Sequence, residues 1–311
     1  MGNRRVLSIS MFVFLICGMA GCVTDLSNDT PESNSSSAYP IEQTDAIGSD
    51  FVLENEPKRI VSLIPSNTEI IYALEAGGML VGRSDFDDYP EEVLDVQSIG
   101  GMEFDVEQII KLEPDLILAH ESGIGQAEDP LNQLNEAGYP VYVVEDAQTL
   151  DAVYDSIQSI AGLINRNEEA VQLIEEMQDE LAQLSAITER SEEEQKSTWI
   201  EISPQPIYVA GKQTFIDELL QRIHALNAAE DVIGWTEVSE EAGVTYNPDV
   251  IISTYGGTED ISNRPAWQQV QAIKEDQIYD IDPNVVSRPG PRLVEGARTL
   301  AEMIYPEDFL E

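Results

Sequence analysis

Only two histidines, His120 and His224, and two cysteines, Cys17 and Cys22, occur in the 311 residues. That supply is too thin for a His/Cys metal centre, which needs several such ligands at fixed spacing. There is no Gly-rich phosphate loop and no nucleophile elbow. Carboxylates are so abundant that a pair of them says nothing about acid–base catalysis. The chemistry-bearing residues therefore describe a protein that binds rather than transforms, with no resident cofactor or metal.

The charge narrows the partners. Sixteen basic residues stand against 59 acidic ones, a net of −43. Nucleic acid is excluded, because binding phosphates requires basic surface. The acids are scattered along the chain rather than clustered, which fits a solvated surface suited to saline or alkaline surroundings better than capture of a cation.

One pattern occurs twice. Glu107 is followed by six residues and then Pro114-Asp115-Leu116-Ile117-Leu118; Glu241 is followed by six residues and then Pro248-Asp249-Val250-Ile251-Ile252. Asp105 and Ser239 stand two residues before each Glu as helix N-caps, and Asp105 with Gln108 forms a capping-box pattern. The Pro-Asp pair stops a short helix, and the apolar run after it reads as a buried strand. A unit recurring once across such a distance implies two similar lobes, since a solenoid needs shorter periods and more copies.

Around that pattern the chain alternates strands with helical stretches. Ile60–Leu63, Leu80–Gly82, Leu116–Ala119 and Tyr139–Val144 read as strands of a first lobe, with a helix from Ser66. Ala152–Ile164 and the stripe Ala170, Val171, Ile174, Met177, Leu181, Leu184 read as the longest helical tract, interrupted at Asn165-Arg166-Asn167. Trp199–Ser203, Val250–Ser253 and Gln277–Asp282 read as strands of a second lobe, closed by a helix over Leu293–Ile304. The expected fold class is α/β: two Rossmann-like lobes with central, mostly parallel sheets, joined by one long α-helix. In such sheets ligands sit beyond the carboxyl ends of the strands, so the loops after Pro65, Gly82, Ala119, Pro204 and Ser253 should converge on a shared cleft.

The first residues read as a targeting segment. Arg4 and Arg5 precede an apolar run over Val6–Ile16, and Met19-Ala20-Gly21-Cys22 resembles a bacterial lipobox, with Cys22 the lipidated residue. The expected organisation is a lipoprotein signal peptide over 1–21 and a lipid-anchored flexible tether over 22–57. An N-terminal lobe over 58–148, a helical region over 149–196 and a C-terminal lobe over 197–311 follow. The tether assignment rests on Ser, Asn, Asp, Thr and Glu outnumbering large apolar residues.

At four places the chain resembles the substrate-binding proteins of ATP-driven importers for cobalamin, siderophores and haem, the class III periplasmic binding proteins. The resemblance covers roughly residues 58–305. It rests on Ile60-Val61-Ser62-Leu63 through Pro65-Ser66-Asn67-Thr68-Glu69, on Asp88-Tyr89-Pro90, on Leu112–Ile117, and on Arg288-Pro289-Gly290-Pro291-Arg292. It looks most like the cobalamin-binding branch. The resemblance implies an extracytoplasmic lipoprotein, anchored to the cell membrane by lipid only and monomeric. Such a protein would pass a corrinoid, or alternatively an iron chelate or haem, to a permease with ATPase subunits. It implies Pro65, Phe86, His120, Trp235, Asn284 and Arg288 as ligand-binding residues, and Glu107 and Glu241 as the acids that dock on permease arginines. Complementing a helix N-terminus is the other role open to each Glu. The chain departs from the branch at Gly100-Gly101 and at His120, where two aromatic walls are replaced. His120 is thus left as a ligand contact or as the partner of a loop.

Overall fold

The structure is a computed structural model that describes residues 39–310. The expected signal segment and the expected lipidation site, Cys22, lie outside these residues. Among those described, no helix is long and apolar enough to cross a membrane.

Residues 41–53 depart from the expected tether. Strands β1 (Ile41–Thr44) and β2 (Asp50–Leu53) form an antiparallel hairpin. Strict alternation buries Phe51 and Leu53 while their neighbours face water. Phe51 meets the Tyr142 ring edge-on at 5.2 Å. The hairpin turn donates the Ala46 N–H to the Val143 carbonyl at 3.0 Å. Composition misleads here because two well-placed apolar side chains suffice to dock a hairpin beside an otherwise open strand edge.

The first sheet contains β3 (Ile60–Ser62), β4 (Leu80–Gly82), β5 (Leu116–His120) and β6 (Val141–Val144) in the order β4-β3-β5-β6, all parallel. Helices α1 (Pro65–Ala73), α2 (Val106–Lys111) and α3 (Ile124–Glu136) make its connections. Helix α4 (Leu150–Leu163) then ends at Asn165, whose φ of 55° breaks the tract before α5 (Asn167–Ile187). The 21 residues of α5 extend about 31 Å.

The second sheet is mixed. Strands β7 (Ser197–Pro204) and β8 (Ile207–Ala210) form a hairpin, and helix α6 (Phe215–Arg222) leads to β9 (Leu226–Asn227) and β10 (Trp235–Val238). Helix α7 (Glu240–Tyr246) enters β11 (Val250–Ser253). Short helices α8 (Thr258–Ser262) and α9 (Gln271–Lys274) precede β12 (Ile278–Asp280). Helices α10 (Pro283–Val286) and α11 (Leu293–Ile304) close the fold. The order is β10-β8-β7-β11-β12, with β9 beside the start of β7; β8 and β10 run antiparallel to their neighbours, the other pairings parallel.

Strand periodicity divides the core. Leu116 and Leu118 of β5, and Val250 and Ile252 of β11, face one continuous apolar core that also takes in α4, α5, α6 and α11. Ile117 and Ala119 face a separate cluster under α2 and α3, and Ile251 faces another around Trp199 and Trp267. The two sheets thus share a core through the helices between them.

The duplicated unit has a structural purpose that its sequence does not announce. Asp115 accepts the backbone N–H groups of Lys58 and Arg59 at 2.8–3.0 Å, and Asp249 accepts that of Ser197 at 2.9 Å. Each Pro-Asp aspartate therefore pins the chain where it enters the first strand of its own sheet. The residues before the two prolines, Glu113 and Asn247, share a left-handed conformation with φ of 46° and 45°. Asp105 caps α2 by accepting the Gln108 N–H at 2.9 Å, and Ser239 caps α7 by accepting that of Ala242 at 3.3 Å.

Candidate functional site

Because β3, β4 and β5 are parallel, their carboxyl ends lie along one edge of the first sheet. The residues leaving them enclose a cavity of about 160 Å³, lined by Leu63, Phe86, Met102, Phe104, His120 and Leu131 among others. Phe86 is half exposed at its mouth and packs against Gly101, where an added Cβ would stand 3.2 Å from the ring. Gly101 thus leaves room for the Phe86 ring. Drug-sized ligands occupy roughly 300–1,000 Å³, so this cavity by itself is smaller than such a ligand needs.

His120 ends β5 and is almost wholly buried. Its Nδ1 lies 2.8 Å from Ser122 Oγ and accepts the Ser122 N–H at 3.3 Å. Burial pushes the imidazole pKa down, against the opposing pull of Asp146 and Glu121, so the ring is neutral at neutral pH.

A charged latch crosses between the lobes. Arg288, in the loop before α11, bonds Glu69 Oε1 and Asp88 Oδ1, each at 2.7 Å, and the Phe86 carbonyl at 3.2 Å. Asn284 donates to Asp88 Oδ2 at 3.0 Å. Arg292 lies 3.7 Å from Glu69 and 4.1 Å over the Tyr89 ring. Burial raises the Glu69 pKa while the Arg288 guanidinium draws it back, so the ion pair holds a charge the interior otherwise resists. The first turn of α1 is polar yet buried throughout, from Ser66 to Glu69. Asn67 donates to the Ala119 carbonyl at 3.0 Å, tying this turn to the end of β5. Ser66 Oγ, Asn67 Oδ1, Glu69 Oε2 and Asp87 Oδ1 are buried without a hydrogen-bond partner.

A second bridge lies at Trp235. Its Nε1 donates to Gln148 at 2.8 Å across the lobes, and its ring packs 5.2 Å from Phe215. Nearby, Glu218 accepts the Leu150 N–H at 2.8 Å. A groove of about 750 Å³ also runs between the lobes, lined by Glu69, Tyr72, Tyr89, Glu180, Arg292 and Arg298. It follows the far end of α1 rather than the strand ends.

At the carboxyl end of β7, Glu201 is fully buried. It receives Trp199 Nε1 at 3.1 Å, Arg264 Nη1 at 2.9 Å and the Tyr255 hydroxyl. This network fixes the loop after β11, where Gly256 is left-handed at φ 74° and Gly257 leaves the Tyr255 ring its space.

Of the residues singled out from sequence, Phe86 and His120 share the cavity, while Asn284 and Arg288 share the latch with Phe86 at its edge. Pro65 begins α1, the helix that carries Glu69. Trp235 forms the separate bridge to Gln148. Glu107 and Glu241 are exposed in the first turns of α2 and α7, and Glu241 is held ionised chiefly by its own backbone N–H, with the Ser239 hydroxyl assisting. Sequence reasoning missed Glu69, Asp88, Gln148 and Met102. The signal for Glu69 was present: an acid one residue before Ile70-Ile71, on a helix whose first turn follows a buried strand. Among the described residues no group of His, Cys, Asp or Glu is arranged to hold a metal ion.

Comparison with known proteins agrees with this architecture. The family model described as periplasmic binding protein matches residues 60–285. An uncharacterized ABC transporter substrate-binding lipoprotein of Bacillus subtilis, YvrC, is 42% identical over 297 residues, spanning 94% of this chain and 95% of its own. A vitamin B12-binding protein of Pectobacterium atrosepticum is 30% identical over 254 residues, spanning 80% and 88%. The crystal structure of a possible iron-binding (periplasmic solute-binding) protein from Staphylococcus epidermidis is 39% identical, with a TM-score of 0.75, covering 81% of this chain and 100% of that one. The chain therefore belongs to the periplasmic binding protein family, as the extracytoplasmic substrate-binding component of an ABC transporter.

Proposed function

We propose that the protein captures cobalamin or a related corrinoid between its lobes and delivers it to an importer permease. The observation that carries the reading is the mostly apolar strand-end cavity with the half-exposed Phe86 at its mouth, the Phe86 carbonyl accepting from Arg288 of the facing lobe. An apolar wall with a few polar groups suits a broad, largely apolar ring system with polar margins. The likeness to vitamin B12-binding proteins supports the same choice. Ligand contact is assigned to Pro65, Phe86, His120, Trp235, Asn284 and Arg288.

A ferric chelate or haem is the second reading, favoured by the likeness to the S. epidermidis protein. Absorbance and mass spectrometry of ligand carried through purification separate the two: a corrin spectrum supports the first, and an iron chelate or a haem band replaces it with the second.

Glu107 and Glu241 are assigned as permease-docking residues, and Cys22 as the lipid anchor of a monomer. In a parallel α/β unit the helix preceding a strand starts near that strand's carboxyl end, which sets both acids on the cleft side of their lobes. Replacing both together, Glu107→Lys with Glu241→Lys, should abolish uptake and leave ligand affinity of the soluble protein unchanged. Lost affinity in the soluble protein contradicts the docking role.

A further inference from the structure

We infer that His120 engages the ligand as a hydrogen-bond donor through Nε2, toward an oxygen acceptor on the ligand's margin, and does not coordinate a metal at its centre. This rests on the corrinoid reading for the choice of ligand, but not for the chemistry of the ring. The Ser122 backbone N–H has only a proton to offer, and it points at Nδ1 at 3.3 Å. The Ser122 hydroxyl lies 2.8 Å from the same nitrogen and can donate to it. Only the tautomer with an unprotonated Nδ1 satisfies both contacts, because the other sets two N–H groups against each other. In a neutral imidazole the proton then resides on Nε2.

Nε2 has no hydrogen-bond partner among the described residues, and His120 lines a cavity whose other side chains are apolar apart from Ser122 and Gln126. A nitrogen that carries a proton has no lone pair to give a metal ion. It is instead the one donor His120 offers to a mostly apolar wall, and it would select an amide or carboxylate oxygen over an alkyl edge. Burial keeps the ring neutral, so this donor persists at neutral pH. Met102 shares the cavity and supplies apolar surface beside it.

Two measurements test this. Long-range proton–nitrogen NMR of ring-labelled, ligand-free protein reads the tautomer directly: the neutral Nε2–H form is expected, and an Nδ1–H ring overturns the inference whatever the ligand. Titration with cyanocobalamin, whose upper cobalt face is closed by cyanide, and with aquocobalamin, whose water is exchangeable, reads the contact. The two should bind alike without a change in the visible spectrum of aquocobalamin, and His120→Ala should weaken both equally, by about tenfold for one lost hydrogen bond. Preferential binding of aquocobalamin with a shifted spectrum that His120→Ala removes would establish coordination instead. If neither corrinoid binds, the ligand assignment fails and the tautomer result still decides the role of the ring; haemin against metal-free protoporphyrin then replaces the pair, with equal loss on His120→Ala expected and a loss confined to haemin overturning the inference.

Discussion

Asp87 shows how single residues tune this cleft. Burial pushes its carboxyl up to about 6, against the Ser84 N–H, the Thr68 hydroxyl and Arg83, which pull it down. Its folded pKa lies above the unfolded value, so the folded state holds more protons between about pH 4 and 6. Stability is therefore greatest below pH 4 with respect to this group and is lost as pH rises through 6, by at most about 3 kcal/mol. Asp87→Asn keeps an acceptor for the Ser84 N–H and removes the titration. Urea unfolding of both proteins from pH 4 to 7.5 should show this part of the slope vanish in the variant; an unchanged slope contradicts the assignment. His120 acts in the opposite sense. Its depressed pKa makes the unfolded chain the stronger proton acceptor as pH falls below about 6.5, so its contribution to stability is present above that pH and declines below it.

At the scale of elements, the duplicated unit explains why its two copies share residue types. Asp115 and Asp249 satisfy strand-entry N–H groups, and their replacement by Ala should cost about 1–2 kcal/mol each, measured by denaturant unfolding. Gly243 of α7 sits under Trp267, where an added Cβ would stand 2.2 Å from the indole. Gly243→Ala should cost about 1–3 kcal/mol through overpacking, even though alanine is the better helix former. Legibility follows the same physics. The strand at Val250–Ser253 and the closing helix at Leu293–Ile304 emerge from sequence at their observed limits because their apolar patterns lie beside Pro248, Pro291 and Pro306, signals that act locally. The antiparallel strands β8 and β10 do not, since both are short and β10 gains its place only by pairing, through Trp235–Val238, with β8. The hairpin at residues 41–53 was hidden for a related reason: its two buried side chains gain their value only from Tyr142 and the edge of β6.

Across the whole molecule, function depends on how two sheets with a common core meet at their strand ends. Arg288, legible as a motif residue, turns out to join both lobes by pairing with Glu69 and Asp88; both acids stand in the motifs too, but among 59 acidic residues nothing in the sequence pairs them with Arg288. Arg288→Ala leaves buried Glu69 only the longer ion pair to Arg292 at 3.7 Å and should destabilise the fold by about 3 kcal/mol, while loosening the contact between the lobes. Denaturant unfolding and small-angle scattering should report lower stability and a larger radius of gyration; a variant as stable and compact as the parent would remove the latch from the account. The central claim is that the strand-end cleft takes a corrinoid, and calorimetric titration of the soluble protein and of Phe86→Ala with cyanocobalamin tests it most directly. One corrinoid per chain, bound at least tenfold more weakly by the variant, is the predicted result; no binding of cyanocobalamin by a protein that takes up a ferric chelate or haem stoichiometrically would contradict it.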